Sequence, residues 1–400
     1  MQDRRQFLRG AAAGLGVGSL ALAAGLPALA SAAPAGANAG AAASAAGAAT
    51  ASAAKPRVLV DWHAHFVTNA EIDFLRKRTT APCVFDGADG VSLMENLSTA
   101  SFVGGKPSPF SASDIDVRIR HIEKLGISRQ LLTHTVALGF DATLPLEELR
   151  PLFRAVNDEL ASVVKRHPGR FLAVAALPAA DPQWAAQELR RAHQELGLIG
   201  GSLPLNAFAT LEGARTLAPL FAEAQKLGSH FFIHRAPANA LIPGQPPLVT
   251  PTDTEYARWS IISNSHLANG AITLGLTDFL DPYPDVTVEV IMLGGFLPYL
   301  IDTIVPAAHK AGVADPLARL RRLYLDPGPY SRNGEWVKLA IDKLGADRIL
   351  FGTDYGVGGG DRGDSGPGLA TLDKVLTPKQ RQQIYIDNTR QLLARKGIKV

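Results

Sequence analysis

The feature of this chain that most restricts its fold is an alternation. Eight short apolar runs succeed one another, separated by stretches with helical spacing: Arg57–Trp62, Ser128–Thr135, Phe171–Leu177, Leu198–Leu203, Ser229–His234, Val286–Met292, Arg322–Asp326 and Arg348–Thr353. β-Branched and aromatic side chains in runs of this length read as strands. Between them, Val117 to Leu125 and Leu217 to Leu227 carry the three-and-four spacing of helices, and Gly126 and Gly228 stand where those helices should stop. Strands that alternate with helices imply a parallel sheet, and eight such units are the count of a closed (β/α)8 TIM barrel. Three long connections each follow a strand: Phe66 to Ser113, Ala236 to Thr254, and Tyr355 to Gly368. They should lie over the C-terminal face of the strands, where barrels of this kind carry their chemistry.

The region before the first strand reads differently. Arg4-Arg5 precedes a run rich in Ala, Gly and Leu, so residues 1–33 are expected to be a twin-arginine-type signal peptide. Residues 34–54, almost wholly Ala, Gly, Ser and Pro, read as a linker, which leaves 55–400 for the barrel. The expected location is the periplasm or outside the cell, with no stable membrane anchor after processing. A formal net charge of +3 gives no reason to expect a nucleic-acid partner. Cys83 is the only cysteine, so neither an internal disulfide nor a thiolate cluster is possible. It reads as a small loop or core residue.

On a barrel the informative positions are the C-terminal strand ends. The first strand ends Asp61-Trp62-His63-Ala64-His65, and residues two apart on a strand share a side. The fifth ends in His234, and the eighth runs into Asp354. Three imidazoles and one carboxylate at one rim suit a catalytic divalent ion, with Zn²⁺ the default. Taken singly, His234 would be a core histidine and Asp354 a helix cap; their shared rim argues otherwise.

The order HxH, His, Asp resembles the amidohydrolase superfamily, and in detail its branch of aminocarboxymuconate-semialdehyde and resorcylate decarboxylases. The matching stretches are Val60 to His65, Ile233-His234, Pro284-Asp285-Val286 before Gly294-Gly295, Phe351 to Tyr355, and the tail Ile386 to Arg390. The resemblance implies one ion held by His63, His65, His234 and Asp354. The fourth run has no lysine, which removes the bridging group of many two-metal members. The departure is on the sixth strand: Met292 stands where the decarboxylases carry a proton-handling histidine, and a thioether can do no such work.

On this reading a metal-activated water, with Asp354 passing its proton, should hydrolyse an amide, lactone or ester of a small molecule. Hydrolysis is placed ahead of the alternative, non-oxidative decarboxylation of an aromatic or unsaturated acid, because Met292 removes the usual shuttle. A degenerate barrel that only binds metal or ligand is the third reading. Arg235 and Lys106 are candidates to hold a substrate carboxylate, Trp62 to wall the pocket, and His134 or His266 to lean inward. His121, His167, His193 and His309 receive no role, and His230 is at the wrong end of its strand. A homodimer is expected.

Overall fold

Parallel strands form at seven of the eight expected runs, and the eighth is a segment held by isolated bridges, in the computed structural model, which describes residues 57–87, 90–94, 108–246, 254–357, 360–361 and 363–398. The leader and linker expected at 1–54, and Lys106, lie outside the described residues. The first strand, Val58–His65, pairs with Ile127–Thr133, and that with Phe171–Ala173. The third strand breaks at Val174 and resumes at Ala175–Ala176, which pairs with Gly200–Pro204. Pairing continues through His230–His234 and Thr287–Val290 to Leu323–Leu325. The eighth segment touches both edges: bridges join Leu325 to Ile349 and Ala64 to Tyr355, and Trp62 N–H donates to Phe351 O at 2.9 Å. The barrel is therefore closed.

Every residue of the first and fifth strands is buried, as expected where helices cover a sheet whose other face is the lumen. Among those helices, Ile115–Leu125 ends at Gly126 (φ +70°) and Ala218–Leu227 at Gly228 (φ +60°), left-handed positions that glycine takes without strain. The tail anchors the eighth segment. Asn388 Nδ2 donates to Ala346 O at 2.8 Å and Ile349 O at 2.6 Å, beneath the eighth strand.

The first long connection has more order than its lack of period suggested. It holds a helix, Asn69–Arg76, and an antiparallel sheet of Cys83–Gly87, Gly90–Met94 and Ser108–Pro109. An eight-residue helix is too short to display a period, and its start is set by cap chemistry. Thr68 and Glu71 form a reciprocal capping box, a signature that the sequence does contain. No helix of the described residues is long and apolar enough to cross a membrane.

Candidate metal centre

His63, His65, His234 and Asp354 come together at the barrel mouth, with one ligand atom of each within 4.8 Å of all the others. The first strand reaches this point through an irregularity. Its register against the second strand shifts between Asp61 and Ala64, the mark of a bulge that re-aims side chains. Asp61 fixes the bulge. Its carboxylate accepts Thr353 N at 3.0 Å, Thr353 Oγ1 at 2.7 Å and Gln130 Nε2 at 2.7 Å, tying strands one, two and eight together.

Each imidazole is held from behind. His63 Nδ1–H donates to Asp326 Oδ1 at 2.7 Å, His65 Nδ1 lies 3.3 Å from Thr133 Oγ1, and His234 Nδ1–H donates to Arg235 O at 3.0 Å. The Thr133 hydroxyl gives its own proton to Ala64 O at 3.0 Å, which leaves it an acceptor for His65. These partners assign the proton of each ring to Nδ1 and turn the three Nε2 lone pairs inward. His63 Nε2 and His65 Nε2 stand 3.1 and 3.0 Å from Asp354 Oδ1, and the buried His63 Nε2 makes no hydrogen bond. Lone pairs facing a carboxylate so closely call for a cation between them. Metal–ligand bonds of about 2.1 Å at tetrahedral angles place donors about 3.4 Å apart, close to the two separations from Asp354 Oδ1, and the donor types suit a divalent ion.

Charge in the cluster is balanced within it. Burial disfavours a charge on His63, but Asp326 and Asp354 outweigh it and hold the ring well above its ordinary range, so a metal ion would have to displace a proton from Nε2. Burial would raise Asp354, yet His63 and His65 keep it well below the usual carboxylate range. Burial, assisted by the two neighbouring rings, keeps His234 neutral, the state a metal ligand needs. The wall behind His63 has no spare room. A Cβ at Gly352 would meet Asp326 Oδ1 at 2.6 Å, and one at Gly328 (φ +46°) would meet His63 Nδ1 at 2.9 Å. Asp354 (φ +62°), Met292 (φ +55°) and Leu293 (φ +57°) all hold left-handed backbone at this rim. Strain of that kind in non-glycine residues gathers at functional sites.

A model of the amidohydrolase family matches residues 60–395. The chain belongs to the amidohydrolase family. Within it, gamma-resorcylate decarboxylase of Rhizobium radiobacter is 30% identical over 261 residues, covering 60% of this chain and 76% of that protein. The same enzyme of Rhodococcus jostii is 28% identical over 263 residues, with the same shares. Among solved structures, 2,6-dihydroxybenzoate decarboxylase from Rhizobium superposes with a TM-score of 0.60 at 20% identity, covering 84% of this chain and 98% of that one. A 5-carboxyvanillate decarboxylase from Novosphingobium aromaticivorans, solved with bound manganese, gives 0.62 at 17% identity, covering 84% and 96%.

The remaining candidates of this amidohydrolase-family chain divide. Arg235 is at the mouth: its guanidinium lies 4.7 Å from the Trp259 ring centroid and feels Asp354 and Tyr330. Burial brings its pKa down to about 10, so it stays charged. His266 faces Arg235, and burial followed by that charge lowers its pKa. Trp62 is not a pocket wall. It is fully buried, edge-on to His230 at 5.1 Å, and donates Nε1–H to Thr389 Oγ1 at 2.9 Å. It is thus tied to the start of the fifth strand and to the last helix. His134 is buried, with Nδ1 3.1 Å from Ser202 Oγ and its ring against Phe153. Met292 is half-buried, in the turn just past the sixth strand.

Two supporting residues were given no role from sequence. Asp326, which orients His63, stands at the C-terminal end of the seventh strand, a placement that was itself the signal. Arg118 is fully buried. It donates to His65 O at 2.6 Å and Gln130 Oε1 at 2.7 Å, and pairs with Asp361 at 2.7 Å. It thereby ties the backbone of a metal ligand to the glycine-rich loop. Its signal was a charge four residues before Ile122 on the apolar face of a helix. His121, which received no role, is half-buried and stacks on Tyr355 at 3.9 Å.

Proposed function

We propose that this chain is a divalent-metal-dependent, non-oxidative decarboxylase of an aromatic acid. One observation carries the reading: a three-histidine, one-aspartate cluster at the mouth of a barrel whose curated relatives are gamma-resorcylate decarboxylases. A bound divalent ion would supply a Lewis acid for the oxygens of the substrate. The rest is work for the side chains. The ring–carboxylate bond breaks, its electron pair stays on the ring carbon, CO₂ leaves, and one proton is added to that carbon. We assign the proton to Asp354. Its Oδ1 is turned to both histidines, which leaves the proton to Oδ2. A carboxyl held so far below its ordinary range carries no proton of its own near neutral pH, so Asp354 relays one taken from the substrate's acidic groups or from solvent and does not keep it. Arg235 is assigned to an anionic oxygen of the substrate, with Trp259 beside it.

Hydrolysis ranked first in the sequence reading because Met292 cannot relay a proton. The named relatives support decarboxylation instead, and Asp354 can take over the relay. The test is CO₂ release from 2,6-dihydroxybenzoate and 5-carboxyvanillate by the metal-loaded protein, with Asp354→Asn as control. Turnover of lactones or amides with no CO₂ from any aromatic acid would restore the hydrolase.

For the ion, the nitrogen-rich donor set keeps Zn²⁺ as the default. Manganese, the ion in the solved 5-carboxyvanillate decarboxylase, is the other outcome of elemental analysis. Two further readings are carried as proposals. A homodimer is checked by light scattering, and export by locating an Arg4→Lys, Arg5→Lys variant in cell fractions.

A further inference from the structure

The floor of the barrel, at the end away from the metal site, has a cavity of about 340 Å³ whose wall includes Arg321, Arg322, Arg348 and Arg395 together with Leu280 and Val286. The arginines arrive from separate elements. Arg321 and Arg322 precede the seventh strand, Arg348 precedes the eighth segment, and Arg395 ends the last helix. Their counter-charges are few. Asp347 is shared by Arg321 at 2.9 Å and Arg348 at 3.3 Å. Asp281 is shared by Arg322 at 2.6 Å and Arg319 at 3.0 Å. Arg395 meets a carbonyl, Pro284 O at 3.1 Å.

Four guanidinium groups thus line the recess against two carboxylates, and Arg319, outside the wall, draws on one of these two as well. Like charges around a recess repel, and the recess lowers the screening that would relieve them. Planar guanidinium forks match the oxygens of a tetrahedral anion, which can bond two of them at once.

We propose that this floor cavity is a binding site for a small polyvalent oxyanion of the phosphate class, separate from the metal centre and from the reaction there. Its occupant completes the neutralisation that Asp281 and Asp347 leave unfinished, and links the ends of the sixth, seventh and eighth strands to the last helix. At the N-terminal face of a barrel such a link serves stability rather than chemistry.

The experiment is titration of the metal-loaded protein with inorganic phosphate, followed by calorimetry and thermal unfolding, against sodium chloride at matched ionic strength. Phosphate should bind and raise the unfolding temperature where chloride does not. Arg395→Met breaks no ion pair described above, so its fold should persist, checked by circular dichroism. It should weaken phosphate binding at least about tenfold, the equivalent of one charge-assisted hydrogen bond. Arg348→Met should do the same. The double variant His63→Ala, His65→Ala should keep the phosphate response, which separates the floor from the mouth. The proposal fails if phosphate acts no differently from chloride. It fails equally if Arg395→Met binds phosphate as tightly as the parent protein, or if the response disappears with the two histidines.

Discussion

His230 and His234 lie four residues apart on one strand, both buried, yet they do opposite things. His234 is held at Nδ1 by a carbonyl and presents Nε2 to a point where two other imidazoles and a carboxylate also aim. His230 spends both nitrogens on neighbours: Nδ1 lies 3.0 Å from Thr287 Oγ1, and Nε2 lies 3.1 Å from Glu289 Oε2. Glu289 is itself buried beside Asp326. Burial and that second carboxylate raise it well above its ordinary range, so it holds a proton. The upper cluster keeps its donors pointed at one shared centre, whereas both ring nitrogens of His230 are taken up within the protein. Residue type does not separate a metal ligand from a core histidine; whether the last lone pair has a partner in the protein does.

The contrast is broken most sharply by the ligands themselves. His63→Ala with His65→Ala should abolish both a stoichiometric ion and CO₂ release, measured by elemental analysis and gas evolution. His230→Gln should retain the ion. Retention in the first case, or loss in the second, would merge the two clusters. Next in size is the group between them. Asp326→Asn should weaken metal affinity by about 10–100-fold, because the amide no longer fixes the His63 tautomer. A competition titration against a chelator reads this, and an unchanged affinity would reduce Asp326 to a packing residue.

Removing the lower cluster should cost stability and nothing else. His230→Ala leaves buried polar atoms of Glu289 unpaired, a penalty of about 1–3 kcal/mol in denaturant unfolding with metal content unchanged. The most gradual effect, spread over the acid range, concerns the buried His134. Burial, then the nearby His65, lowers its pKa to about 3, against an ordinary 6.5 in the unfolded chain. Between those values the unfolded chain holds a proton that the folded one lacks. Stability is therefore present above pH 6.5 and is lost as pH falls towards 3. This histidine contributes a slope of about 1.4 kcal/mol per pH unit. His134→Asn should flatten the acid side of the unfolding profile by that amount, and an unchanged slope would mean that the ring already carries its proton when folded.

Much of this was legible in the linear chain. Eight apolar runs fixed the barrel because period and length are local properties. The four ligands were legible because a barrel sends every strand's C-terminal end to one rim, so position along a strand stands in for position in space. Legibility failed wherever partners were distant in sequence. Trp62 looked like pocket lining beside HxH, but a bulge and Thr389, 327 residues away, give it to the core. Arg118 and Asp326 looked like ordinary helix and strand-end residues until His65 O and His63 Nδ1 were placed beside them. The short helix at Asn69–Arg76 was hidden because one capping box outweighed any period.

The sequence alone therefore settled the architecture and the identity of the four donors, since both follow from spacing along a single strand or helix. Only the folded molecule decided which histidine keeps a lone pair to offer, which tryptophan is core, and that four arginines share one floor. Those are questions of who stands opposite whom, and burial gives each unpaired charge or lone pair an energetic consequence that no local pattern encodes.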